Sequence, residues 1–158
     1  MPSRHAGSEA ERRALNAYIN LLRCTETVTA DTCRHLADAG LTVGQFGTLE
    51  ALYHLGSLCQ RDIGRKLLKT GGNISTVVAN LEKRGLVRRR RATDDRRYYQ
   101  VELTTAGREL VEAILPDHVR GIRARMAALD PEEQEALRRL CRKLGLGGCD
   151  RHRPETKG

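Results

Sequence analysis

The chain has 158 residues, enough for one compact domain or one domain with long arms. Hydrophobic residues make up 39% and charged residues 30%, and mean hydropathy is −0.52. No apolar run approaches the ~18 residues of a membrane span, and the composition is neither collagen-like nor low-complexity. Lys and Arg total 28 against 20 acidic residues, giving a net charge of +8 and a pI near 9.7.

The charge excess is gathered in one place. Twelve bases and four acids lie between Arg61 and Tyr98, which leaves sixteen bases and sixteen acids in the rest of the chain. A solvated surface would spread such an excess, whereas a phosphate-facing surface collects it. The stretch Met1 to Ala14 is polar and lacks the apolar core of a signal peptide, so a cytoplasmic protein is expected.

Ser8 and Glu11 form an S-x-x-E capping box, and Leu15, Tyr18, Ile19 and Leu22 then recur at i, i+3, i+4 and i+7. The spacing predicts one long helix from Glu9 to Ala39, ended by Gly40. Thr42 and Gln45 make a second capping box. The helix that follows carries Phe46, Leu49, Leu52 and Tyr53 inward and stops at Gly56. A third helix is predicted over Gln60 to Leu68, with Ile63 and Leu67 inward. A fourth begins near Gly72, carries Ile74, Val77, Val78 and Leu81, and closes at Gly85. The period then changes to two short strands, Leu86 to Arg91 and Tyr98 to Leu103, around the polar turn Ala92 to Arg97. Thr104 caps a fifth helix, in which Pro116 is expected to introduce a kink or interruption. Asp130-Pro131-Glu132-Glu133 starts a sixth, which carries Cys141 on its apolar stripe and ends at Gly145.

The third and fourth helices have the length and glycine punctuation of a helix-turn-helix, whose second helix lies in the major groove. Opposite the buried stripe, that helix offers Asn73, Ser75, Thr76, Asn80 and Lys83, which are small or hydrogen-bonding side chains suited to base edges and phosphates. Arg88 to Arg91 form a block of like charges that repel unless something anionic neutralises them. From this block Arg88 and Arg90 are candidates for DNA contact. Arg96 and Arg97 stand at the hairpin tip, where a narrow minor groove attracts arginine, and Asp94 supports them. A helix for the major groove beside a basic hairpin makes a winged helix-turn-helix. The expected fold class is mainly α with a small β-hairpin wing.

Leu86-Val87-Arg88-Arg89, Asp94-Asp95-Arg96-Arg97 and Val101-Glu102-Leu103-Thr104-Thr105-Ala106-Gly107 together resemble the wing signature of MarR-type transcriptional regulators. Gly72 to Val77 and Asn80 to Leu86 resemble the recognition helix of that family. The resemblance implies a homodimer, with a dimerisation helix over 1–40, a DNA-binding lobe over 41–107, further dimerisation helices over 108–145 and a mobile tail over 146–158. It implies a pseudo-palindromic double-stranded operator with half-sites ~10 bp apart. Family contacts carry over to Ser75, Thr76 and Asn80 on the helix and to Arg96 on the wing, with Asp94 behind it. Members usually repress transcription and release DNA when a small phenolic ligand binds or a cysteine is oxidised.

Either trigger has candidates. A pocket for a phenolic or quinone effector would lie between helices 1, 2 and 5, lined by Tyr18, Leu22, Phe46 and Tyr53, although all four are equally explained as core. Cys24 and Cys33 are nine residues apart on one helix and face opposite ways, so they do not pair. Cys33 and Cys141 read as small core residues. Cys59 occupies the N-cap slot of the third helix with Arg61 two residues on, a setting that favours a redox role, with Cys24 as second candidate. The family's peroxide sensors carry a cysteine near the start of the first helix, where this chain has Leu15. No Cys or His spacing suits zinc, no cofactor is implied, and His54 and His118 read as ligands or helix caps. There is no G-x-S-x-G, P-loop or H-E-x-x-H, so no enzyme is expected. The alternative to a sequence-specific regulator is a non-specific architectural nucleic-acid-binding protein. The five aromatics make a poor base-stacking platform for it.

Overall fold

The structure, a computed structural model, describes residues 5–67, 71–91 and 99–146. The helices are α1 (Glu9–Thr32), α2 (Val43–Leu55), α3 (Gln60–Leu67), α4 (Gly71–Lys83), α5 (Thr105–Met126) and α6 (Pro131–Leu146), with a 3-10 helix at Arg34–Ala37. The strands are β1 (Leu58–Cys59), β2 (Val87–Arg91) and β3 (Tyr99–Leu103). The fold is thus mainly helical with one small antiparallel sheet. The chain falls into two compact units, Met1–Gly121 and Ile122–Gly158. No helix among the described residues is long and apolar enough to cross a membrane. The expected tail, apart from Leu146 at the end of α6, lies outside the described residues.

Local chemistry sets the helix starts. At α1 and α2 the Ser8 and Thr42 hydroxyls accept from the backbone N–H of Glu11 and Gln45, whose side chains accept in return from the cap N–H. Asp130 and Glu133 make the same reciprocal pair at α6, at 2.9 and 3.0 Å. Each pair satisfies donors that a helix start leaves without partners.

Two expectations about helix continuity need correction. The first helix does not run to Ala39: α1 ends at Thr32, and the chain tightens into the 3-10 helix. Thr25 and Thr32 turn their hydroxyls back onto the carbonyls of Leu21 and Val28, at 2.9 and 2.8 Å. Such back-bonding in a β-branched stretch weakens an α-helix. The 3-10 helix then buries Leu36 at 1% exposure. Conversely, α5 is not interrupted at Pro116 but continues to Met126. Pro removes one backbone donor, and the burial of Val111 and His118 on either side holds the helix together.

One hydrophobic cluster organises the first unit. Leu36, Phe46, Leu49, Leu52, Ile63, Ile74, Val78, Leu81, Val87, Val101 and Val111 are each at most 2% exposed. Burying such a side chain contributes about 1.5–3 kcal/mol, so this cluster, more than helix propensity, fixes α3 and α4 in place. The sheet order is β1-β3-β2, with Leu58 opposite Val101 and Val87 opposite Leu103. Val101, in the central strand, is wholly buried.

Two glycines shape the joint between α4, the sheet and α5. Gly85 has φ +69° and closes α4 with bonds from Gly85 N to Glu82 O and from Leu86 N to Leu81 O, which is a Schellman arrangement. At Gly107 an added Cβ would lie 2.0 Å from the Leu86 carbonyl oxygen, so only glycine fits. That carbonyl also accepts from Thr104 N, and the Thr104 hydroxyl donates to Gly85 O at 2.6 Å.

Candidate nucleic-acid interface

The core dictates which face of α4 is presented. Ile74, Val78 and Leu81 are buried, and Asn73, Ser75, Thr76, Asn80 and Lys83 are exposed on the other side, as their spacing predicts. Two of the hydroxyls are already engaged. Ser75 Oγ donates to Gln60 Oε1 at 2.9 Å, and Thr76 Oγ1 donates to the Gly72 carbonyl at 3.3 Å. Beside them, a cleft of about 430 Å³ between α3 and α4 is lined by Gln60, Arg61, Gly64, Arg65, Gly71 and Ser75. Arg61, Arg65 and Lys66 are exposed on α3, with Arg65 paired to Asp62 at 3.0 Å.

The sheet register sorts the wing arginines. Arg88 stands opposite Glu102 and Arg90 opposite Gln100, so these four share one face of the hairpin. Arg88 Nε donates to Glu102 Oε1 at 2.6 Å, and the Ser57 hydroxyl donates to Glu102 Oε2 at 3.4 Å. The bond from Arg88 holds the Glu102 carboxyl below the usual carboxylate range. On the other face, Arg89 meets Glu82 of α4, through its backbone N–H at 3.2 Å and its Nε at 3.6 Å. Arg91 lies over the Tyr99 ring, 5.9 Å from its centroid. Part of the neutralisation that the arginine block requires therefore comes from within the lobe, since Arg88 and Arg89 have the carboxylates of Glu102 and Glu82 beside them. Arg90 is exposed at the side of Arg88. Asp94, Arg96 and Arg97 lie outside the described residues.

Three residues that shape this surface escape sequence reasoning. Gln60, at the first position of α3, is tied to Ser75 across the helix pair. Glu102 organises the wing from β3. Arg84 reaches from the end of α4 to donate to the carbonyls of Gly40 and Ala39, at 2.8 and 3.0 Å. This clamps the end of α4 to the turn that follows the 3-10 helix. The Arg88–Glu102 pairing has a usable signal, since a hairpin register predicts facing residues. The other two contacts join segments 15 and about 45 residues apart, and no local pattern marks them.

The trigger candidates occupy different settings. Tyr18 and Leu22 are exposed on α1, at 58% and 47%, so their reading as core is corrected. Phe46 is buried with its ring edge-on to His118 at 4.7 Å. Tyr53 is half-buried, donates to Glu112 at 3.3 Å, and has Arg108 5.3 Å from its ring centroid. His54 stacks edge-on to Tyr53, whereas His118 is buried with His35 5.3 Å away. Among the cysteines, Cys24 is exposed and Cys33 is half-buried against the core. Cys141 is exposed rather than buried, as are Leu140 and Leu144 on the same helix. Cys59 Sγ donates to Asp62 Oδ2 at 3.0 Å, and this bond above all lowers the Asp62 pKa. Among the described residues no three His, Cys, Asp or Glu side chains gather into a metal site.

A sequence model described as the MarR family matches residues 39–97, which include α2, α3, α4 and the first strand of the wing. The HTH-type transcriptional regulator MhqR of Bacillus subtilis is 31% identical over 140 residues, covering 89% of this chain and 97% of MhqR. The chain belongs to the MarR family. Structures agree: the MepR–DNA complex of Staphylococcus aureus aligns with a TM-score of 0.74 at 28% identity, covering 82% of this chain and 97% of MepR. Bordetella bronchiseptica BpsR, studied for regulation of its DNA binding by 6-hydroxynicotinic acid, aligns with a TM-score of 0.75 at 26% identity, covering 92% and 98%. As a MarR-family member the protein is a DNA-binding transcriptional regulator, with α3 and α4 as its helix-turn-helix and β2 and β3 as its wing.

Proposed function

We propose that the protein is a homodimeric, sequence-specific repressor that binds a pseudo-palindromic operator and leaves it when a small aromatic effector binds. The observation that carries this reading is the exposed polar face of α4, Asn73 to Lys83, held beside a wing whose arginines are arranged by Glu82 and Glu102. An ordered reading face with hydrogen-bonding side chains favours base recognition over indiscriminate phosphate binding. Asp94, Arg96 and Arg97, outside the described residues, are proposed to contact the duplex as well.

Dimerisation is supported by apolar side chains that each unit leaves uncovered. These are Tyr18 and Leu22 in the first unit and Leu137, Leu140 and Leu144 in the second, the last at 68% exposure. Runs of exposed leucine on one helix stripe are characteristic of a protein–protein contact. Release by a phenolic or quinone effector rests on the family and on the regulated DNA binding of BpsR. Release by thiol oxidation has less support, because the Cys59 thiol is engaged as a donor to Asp62 Oδ2 at 3.0 Å.

The experiment is competition between a selected palindromic duplex and its scrambled counterpart at ~150 mM salt. The palindrome should compete at least tenfold better. Equal competition would leave the architectural alternative in place of the repressor.

A further inference from the structure

A serine hydroxyl can donate or accept, so alone it contacts any base. Ser75 is not alone: its single proton is spent on Gln60 Oε1 at 2.9 Å. What Ser75 offers outward, from the exposed face of α4, is therefore a lone pair. Thr76, its neighbour, spends its own proton on the Gly72 carbonyl and presents the same polarity. Gln60 is held where this matters. It begins α3 directly after β1, and β1 is pinned to β3 through the Leu58–Val101 and Cys59–Gln100 pairs. It is half-buried, so its amide is constrained more than a surface glutamine would be. The pair also borders the cleft in which Arg61 and Arg65 stand.

We propose that Gln60 is a specificity-determining residue, which positions the Ser75 proton inward so that Ser75 accepts from, and does not donate to, the base it meets. In the major groove adenine and cytosine present an amino donor, whereas guanine and thymine present a carbonyl acceptor. A serine fixed as acceptor selects the amino bases at one position of each half-site. This inference rests on the sequence-specific reading of α4 proposed above.

The test uses the full chain and an operator selected from a random duplex library. Every base pair of the half-site is then varied, and affinity is read by fluorescence anisotropy. Wild type should prefer A or C over G or T at one position about tenfold. Gln60→Met removes the acceptor and keeps the length of the side chain; it should bring that ratio near one while leaving the profile elsewhere intact. Ser75→Ala should erase the same preference at the same position. Gln60→Glu keeps an acceptor, so it should retain the ratio while weakening binding to all duplexes through repulsion from phosphate. The inference is overturned if Gln60→Met keeps the wild-type ratio, or lowers affinity equally on every duplex, or if wild type discriminates only at positions indifferent to Ser75. A wild type that discriminates at no position would instead defeat the proposed function itself, and this inference with it.

Discussion

Glu102 accepts from Arg88 Nε at 2.6 Å, across a register pair that places the two side chains on one face of the wing. The acid thereby holds one of four consecutive arginines in a fixed direction. Its pKa is lowered, first by the Arg88 bond. A carboxyl with a depressed folded-state pKa contributes stability that is present above its unfolded value, and that contribution is lost as pH falls through the folded value. Thermal melts from pH 7 downward should therefore lose this contribution only below the ordinary glutamate range, and Glu102→Gln should remove that part of the acid limb. Identical pH profiles would deny the pair its role.

The clamp from Arg84 to the carbonyls of Gly40 and Ala39 is a structural use of a cation inside the basic segment. Arg84→Met should cost about 1 kcal/mol in urea unfolding. Lysine cannot reproduce the two-pronged geometry and should recover only part of that stability. Full stability of Arg84→Met would show that the clamp is incidental.

At Gly107 the constraint is steric. A methyl group 2.0 Å from the Leu86 oxygen forces the start of α5 away from the base of the wing. Gly107→Ala should destabilise the fold by about 1–3 kcal/mol, read as a lowered midpoint in denaturant. An unchanged midpoint would mean that this joint yields freely.

His118 predicts a change in the opposite direction. Among the described residues its Nδ1 is buried without a hydrogen-bond partner, as is Nε2 of His35. Replacing an unsatisfied buried polar group with an apolar one of similar size is neutral or stabilising. His118→Leu should keep or raise Tm, with Phe46 still packed against it. A marked fall in Tm would show that the imidazole has a partner in solution.

Cys59 donates its proton to Asp62, a role that a hydroxyl can fill. Cys59→Ser should bind DNA as wild type does, and mild peroxide should not release either protein. Release of wild type alone would establish the thiol as the trigger.

Periodicity and capping boxes locate the helices from sequence, since Ser8–Glu11, Thr42–Gln45 and Asp130–Glu133 are local pairs three residues apart. The outward face of α4 follows from its buried stripe in the same way. The two-residue strand β1 is illegible, because its pairing with β3 joins segments some forty residues apart. For the same reason Gln60 and Arg84 are invisible as partners of Ser75 and Gly40. The exposure of Tyr18, Leu22 and Cys141 is equally hidden, because an apolar stripe does not tell by itself whether other parts of its own chain pack against it.

The proposed function depends on the face formed by α4 and the wing docking on duplex phosphates. The most direct measurement is the dependence of log K on log salt concentration for wild type and Arg90→Ala. Each phosphate that the variant leaves unneutralised should reduce the magnitude of the slope by about 0.9. A slope and an affinity both unchanged by the substitution would contradict the claim.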